Sequence, residues 1–326
     1  MKLKIAYVLV SSEKDYFLEQ TILSAYSAYR YNPEAEIVVV ADQDTFQTIT
    51  GQRARLKKYV SRIIRAEVPE TYSMMQKSRY LKTSLLNYIE SDFIYLDSDT
   101  VVSGSLSDIY MGVNHIGLIM DHNRDEYNES VKMWVRDCCR IVGWSDLSQD
   151  KTYNGGLLVV KKSPESDSFF NHWHDNWKEC CSKGYDRDQL ALTKTNIECK
   201  YIIDEISGIY NCQIANFEAD KYKSDVRIIH YYDMNNCYYV YNDLKIWNIF
   251  KQNDVIPDEF VSAVETPQDV FGHRYIKVYE KEIQFLRSDW NKIYNEYPIL
   301  RNYLLKVNLA ICELWGIARK IKARFK

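Results

Sequence analysis

An α/β fold, with a mostly parallel sheet flanked by helices, is the architecture the sequence predicts. Three observations carry it. Short apolar runs alternate with segments of helical periodicity through the first hundred residues, the order of a parallel sheet covered by helices. The chain has 326 residues, 46% of them apolar, which is enough to bury a core. Two aspartates, Asp97 and Asp99, stand directly after one apolar run, and ligands of such sheets bind beyond the carboxyl ends of strands.

The elements follow in order. Leu3–Val10 is a buried-strand run. Asp15–Tyr31 carries Phe17, Ile22, Ala25, Ala28 and Tyr29 at helical spacing, and Asn32-Pro33 ends it. Ile37–Ala41 (IVVVA) is a second strand, Thr45–Lys58 a helix and Val60–Ile64 a third strand. Met74–Glu90 is again helical, and Phe93–Leu96 is a fourth strand. Further on, Ile116–Met120 is a short strand, and Tyr153-Asn154-Gly155-Gly156 leads into the strand Leu157–Val160. Ser163-Pro164, a cap and a first-turn proline, opens a helix that runs to about Ser182, with Gly184 after it. Arg227–Ile229 is a last short strand before His230. Past residue 250 the strand signal fades, and the tail from Asp289 is helical. The length suits one large domain with an extension or two smaller ones. No internal repeat or low-complexity tract interrupts it.

Several classes of function are excluded. The net charge of −3 does not suit a polyanion binder, so nucleic acid is not an expected partner and any attraction to anions is local. The first apolar run is too short for a signal peptide and lacks a small-residue cleavage site. No stretch reaches membrane-spanning length free of charge. The eight cysteines show no CxxC spacing, and the adjacent pairs Cys138-Cys139 and Cys180-Cys181 suit neither a disulfide framework nor a zinc ribbon. They are expected to be reduced thiols in a cytoplasmic protein. Asn128-Glu129-Ser130 fits a glycosylation sequon and is read as chance. The 27 tyrosines suit pockets and wet interfaces as well as ordinary packing.

Chemistry concentrates in FIYLDSDTVV, residues 93–102. Two carboxylates two apart in a strand-exit turn point at one site and make a hard, negative pocket for Mn2+, or for Mg2+ as the other cation such oxygens accept. A turn aspartate followed by a helix-capping one is the plain alternative. His230 also ends an apolar run, and neutral imidazole joins carboxylates around manganese. His172, His174, Cys180 and Cys181 are poorly spaced for zinc. His115, His122 and His273 read as surface or loop residues.

Four segments in sequence order resemble retaining glycosyltransferases of the glycogenin and bacterial lipopolysaccharide galactosyl/glucosyltransferase family. They are SRYLKTSLLNYIESDFIYLDSDTVVSGSLSDIY (78–110), YNGGLLVV (153–160), DRDQLALT (186–193) and IIHYY (228–232). The resemblance spans roughly the first 250 residues and implies a GT-A fold. It implies a catalytic domain over 1–250, with a nucleotide-sugar-binding half at about 1–110 and an acceptor half at about 111–250. A helical extension, 251–326, would follow.

The resemblance implies roles for particular residues. Asp97, Asp99 and His230 would hold a metal that binds both phosphates of a UDP-sugar, with Ser98 in the donor site between the aspartates. Val10 and Ser11 would contact uridine, and Tyr16 would stack on uracil. Arg79 would reach the donor's sugar or phosphate, and Asn154 and Gly155 would line the sugar pocket. Asp188 and Gln189 would lie beneath the anomeric carbon, where a carboxylate or amide oxygen stabilises an oxocarbenium-like centre. Plainer readings stand beside these: Asp188 as a cap of the next helix, Tyr16 and Arg79 as helix surface, Asn154-Gly155-Gly156 as a turn. The family often follows its histidine with Gly and then Lys-Pro-Trp, where Lys meets the diphosphate. Here His230 leads into YYDMNNCYYVYND, with no Gly or Lys. Either Lys245-Ile246-Trp247 is that element displaced by an insertion, with Lys245 in the donor site, or the phosphate contact comes from elsewhere.

Residues 301–326 hold seven Lys/Arg against one acid, Glu313, with apolar residues every three or four positions. This is an amphipathic helix with a cationic end. It suits an anionic membrane surface or packing on the domain with a solvated basic end. Lipopolysaccharide-building members of the family act at the inner membrane face on lipid-linked saccharides, which implies such an acceptor here. Two rivals remain: a haloacid-dehalogenase-type phosphatase using Asp97 and Asp99, and a non-catalytic nucleotide-sugar-binding module. The phosphatase lacks its downstream Gly-Asp-x-x-x-Asp motif here. A sugar-nucleotide pyrophosphorylase lacks its Gly-rich loop after the first strand.

Overall fold

The computed structural model describes residues 2–124, 129–232 and 240–271, with Ile299, Tyr303, Lys306 and Val307. The strands are β1 (Lys4–Leu9), β2 (Glu36–Asp42), β3 (Arg62–Ala66), β4 (Phe93–Leu96), β5 (Thr100–Val102), β6 (Ile116–Met120), β7 (Tyr153–Val160), β8 (Ile203–Glu205), β9 (Cys212–Gln213) and β10 (Ile228–His230). The helices are α1 (Phe17–Tyr31), α2 (Gln43–Thr48), α3 (Met74–Thr83), α4 (Glu129–Val142), α5 (Pro164–Ser182), α6 (Gln189–Glu198), α7 (Leu244–Gln252) and α8 (Asp258–Glu265).

Seven strands form the main sheet in the order β3-β2-β1-β4-β7-β6-β8. All neighbours are parallel except at β7, which runs antiparallel to both β4 and β6. The mostly parallel sheet predicted from the sequence is therefore present. Both faces are covered. Ile5, Tyr7 and Leu9 pack into one apolar layer, with residues of α1, α7 and α8. Ala6 and Val8 pack into the other, with residues of α3, α5 and α6. Burial on both faces is why these strands read as continuous apolar runs. A second sheet, β5-β10-β9, lies beyond the end of β4.

Helix starts follow local chemistry. Ser163 and Ser166 form a reciprocal capping box before α5, with Pro164 in the first turn, and Ser73 and Gln76 do the same before α3. Two helices are shorter than their patterns predict. Thr45–Lys58 divides into α2 and a 3-10 turn, Gly51–Lys58, because Gly51 takes a φ of +51° between them. Met74–Glu90 stops at Thr83, where the Thr83 and Ser84 hydroxyls bond back to carbonyls of the preceding turn. β5, β8 and β9 are too short to carry a pattern, and α4 was also not anticipated.

Chain contacts divide the protein into two units, Met1–Phe271 and Gly272–Lys326. Every element named here belongs to the first, which includes α7 and α8. The basic tail, 301–326, lies outside the described residues apart from Tyr303, Lys306 and Val307, and so do His273 and Asn128 of the sequon. Among the described residues, no helix is long and apolar enough to cross a membrane.

Candidate active site

Asp97 leaves β4 beside the start of β7, and its N–H donates to the Gly156 carbonyl at 2.9 Å. Asp99, two residues on, faces the same way. Ser98 faces α1 and shares a 2.8 Å hydroxyl bond with Thr21. Pairing of β5 with β10 sets His230 opposite Thr100, and the Tyr231 N–H donates to the Asp99 carbonyl at 3.0 Å. His230 Nε2 thereby lies 3.2 Å from Asp99 Oδ1. One ligand atom each from Asp97, Asp99 and His230 fall within 4.8 Å of one another, the one such group of three among the described residues. This donor set, two hard oxygens and an imidazole, fits Mn2+ or Mg2+.

The imidazole is tightly housed. A Cβ on Gly156 would meet His230 Cε1 at 2.1 Å and Nδ1 at 2.6 Å. Tyr231 turns the other way and stacks on Tyr241, ring centroids 4.5 Å apart, with Trp247 beyond. Gly156→Ala is therefore expected to displace His230, to cost about 1–3 kcal/mol of stability by overpacking, and to abolish Mn2+ binding. Thermal melts with and without Mn2+ check this.

The facing wall comes from α3 and the residue before α6. Arg79 and Lys82 lie three apart on α3, on one face of the helix. Lys82 Nζ is 3.1 Å from Asp188 Oδ2 and 3.5 Å from Asp97 Oδ1, and Arg79 Nε is 3.2 Å from Asp188 Oδ1. Only 2% of the Lys82 side chain is exposed. Asp188 holds the N-cap position of α6 but makes no capping bond, so its carboxylate belongs to the cations. Burial alone would raise its pKa, but Lys82 and Arg79 override that and bring it down to about 2. The Tyr95 hydroxyl donates to Asp97.

The third wall starts where β6 ends. Asp121 accepts from Gln189 Nε2 at 2.7 Å and Asn154 Nδ2 at 3.2 Å, and lies 3.2 Å from His122 Nε2. His122 and Asn123 both sit in the left-handed region, φ 62° and 53°. Gln213 and Asn211 hold them there: His122 N–H donates to Gln213 Oε1 at 2.7 Å and Asn123 Nδ2 to the Asn211 carbonyl at 2.9 Å. Such conformations persist only where the surroundings over-determine them.

The resulting cleft, about 370 Å3, brings together Arg79, Asp97, Asp99, Asn154, Gly155, Asp188, Gln189 and His230, within the usual range of small-molecule sites. Val10, Ser11, Tyr16, Ser98 and Lys245 do not line it. Val10 and Ser11 are buried just past β1, and the Ser11 hydroxyl donates to Asp15 at 2.8 Å. Tyr16 packs towards α7, with its hydroxyl on Asn248 at 2.9 Å and Lys251 over its ring. Lys245 is exposed in the first turn of α7.

Sequence reasoning missed Lys82, Asp121, His122 and Asn211. Lys82 was readable from its spacing to Arg79. Asp121 follows an apolar strand just as Asp97 does. Asn211 precedes a two-residue strand and carries no signal.

No protein-family model matches the sequence, and no curated protein matches it. Solved structures do. The glycosyltransferase GlyE of Streptococcus pneumoniae TIGR4 is similar over 82% of this chain at 17% identity and a TM-score of 0.50, and this chain spans 64% of the GlyE chain. An active-site mutant of LgtC, a galactosyltransferase, is similar over 79% of this chain and 99% of its own, at 15% identity and a TM-score of 0.50. The chain thus has the fold of GT-A glycosyltransferases.

Proposed function

We propose that the chain is a metal-dependent retaining glycosyltransferase, moving a hexose from a UDP-sugar to a glycan or lipid-linked saccharide. The observation that carries this is the convergence of Asp97, Asp99 and His230 on one point of a GT-A fold, facing Asp188 and Gln189 across an open cleft. Residues 1–110 form the donor half and 111–250 the acceptor half. The acceptor class, a place in lipopolysaccharide or surface polysaccharide synthesis, and peripheral contact of 301–326 with an anionic membrane at its cytoplasmic face rest on the sequence resemblance.

Asp97, Asp99 and His230 would hold Mn2+ or Mg2+, which when bound neutralises charge on the diphosphate and on the departing nucleoside diphosphate. Arg79 and Lys82 add fixed positive charge beside it. Asp188 stays ionised between them and stabilises positive charge at the anomeric carbon rather than taking up a proton. Gln189 spends its Nε2 on Asp121, so its carbonyl oxygen is the atom left for the sugar. That oxygen suits the retained face of an oxocarbenium-like centre. Val10, Ser11 and Tyr16 would serve the uridine end.

The first test is thermal unfolding with uridine nucleotides. UDP with Mn2+ is expected to protect by about 2.7 kcal/mol at a hundredfold excess over Kd, and ADP or inorganic phosphate is expected to give none. A screen of the common UDP-sugars for UDP release then names the donor. Failure to bind any uridine nucleotide overturns the reading. UDP binding without hydrolysis or transfer would favour a binding module, and Asp97-dependent monoester hydrolysis a phosphatase.

A further inference from the structure

We propose that Asn211 is a positioning residue that holds His230 as its Nδ1–H tautomer, leaving the Nε2 lone pair directed at Asp99 and Asp97. The proposal rests on the cation reading of the cleft and deepens it. It follows from a hydrogen-bond chain whose direction is fixed at both ends. The Gly156 N–H, which can only donate, points at Asn154 at 2.9 Å, so that atom is the Asn154 oxygen. The Asn154 nitrogen then faces the Asp121 carboxylate, which can only accept, at 3.2 Å. The same Asn154 oxygen takes a second bond, at 3.0 Å, and the atom that makes it must be the Asn211 nitrogen. The Asn211 oxygen is left facing His230 Nδ1 at 3.0 Å, and only an N–H on Nδ1 satisfies it.

Asp99 competes with this arrangement, because its carboxylate would accept an Nε2–H at 3.2 Å. Meeting that demand with a neutral ring would reverse the Asn211 amide and set its oxygen against the Asn154 oxygen, a repulsive contact at 3.0 Å between two acceptors. Reversing Asn154 as well would instead set an amide nitrogen on the Gly156 N–H and an amide oxygen on the Asp121 carboxylate. Either mismatch lies deeper than the competing bond, which goes to a partly exposed carboxylate. Asn211 is fully buried, so no water replaces it. Metal-binding histidines are generally oriented in this way through the other ring nitrogen.

The test uses the full chain. Long-range 1H–15N correlation spectra of metal-free protein, at about pH 8.5, above the ordinary imidazole range, distinguish the two tautomers. His230 signals are assigned by their loss in His230→Gln. The wild type is expected to show a protonated Nδ1 and a bare Nε2. Asn211→Leu, equal in size but without an acceptor, is expected to move the proton to Nε2. It should also weaken Mn2+ binding, read by electron paramagnetic resonance, about 10- to 100-fold. Asn211→Asp keeps an acceptor at Nδ1 and is expected to retain the tautomer and most of the affinity. If Asn211→Leu does not fold, the wild-type spectrum and Asn211→Asp decide. An Nε2–H wild type, or Mn2+ affinity unmoved in Asn211→Leu, overturns the proposal. A wild type that binds no Mn2+ overturns the cation reading beneath it.

Discussion

Asp99→Asn is expected to lower sugar transfer about 10³-fold, the scale of losing one preorganised electrostatic contact to developing charge, with the fold intact. Asn keeps the shape of the side chain, and the backbone bond from the Tyr231 N–H is untouched, but the charge that a hard cation needs is removed. Asp99 is partly exposed at the cleft, so no buried charge is orphaned. Turnover measured across a Mn2+ titration separates weak metal binding from lost chemistry. A Mn2+ dependence and a turnover both unchanged from wild type would refute the assignment.

The second large effect is on stability. Asp188→Asn leaves Lys82, almost fully buried, without its nearer carboxylate. Breaking a buried pair by removing one partner costs about 3–5 kcal/mol. Replacing both, as Lys82→Met with Asp188→Leu, is expected to restore much of that stability while abolishing transfer. Denaturant melts and an activity assay together check this.

The pH dependence has a definite sign. The Asp188 carboxyl titrates at about 2 in the fold against an ordinary 3.8. Its ionisation therefore contributes about 2 kcal/mol at neutral pH, a contribution complete above the unfolded value and lost as pH falls towards the folded one. Asp188→Asn is expected to flatten the stability curve in that acid window. An unchanged slope would show that Lys82 and Arg79 do not hold the carboxylate.

The sheet was legible because parallel strands buried on both faces write themselves as apolar runs. Asp97, Asp99 and His230 were legible for a related reason: a polar residue directly after an apolar run marks a strand end. What stayed hidden depends on pairing rather than pattern. Nothing in Thr100–Val102 announces a strand, yet its pairing with Ile228–His230 brings Asp99 to His230. Lys82 shares a helix face with Arg79, but its burial beside two carboxylates is a tertiary fact. Tyr16 faces α7, an element whose position no local signal gives.

The reversed central strand, β7, has an engineering consequence. Because it runs against β4, the chain between them, residues 97–152, departs from the cleft rim and returns to it. That excursion is a closed cassette: its two ends are pinned side by side, at Asp97 and Gly156, by a backbone hydrogen bond. On the proposed division, with the donor half ending at about residue 110, grafting only residues 111–152 from another protein of this fold should redirect which saccharide is elongated, while Asp97, Asp99 and the nucleotide preference stay with the recipient.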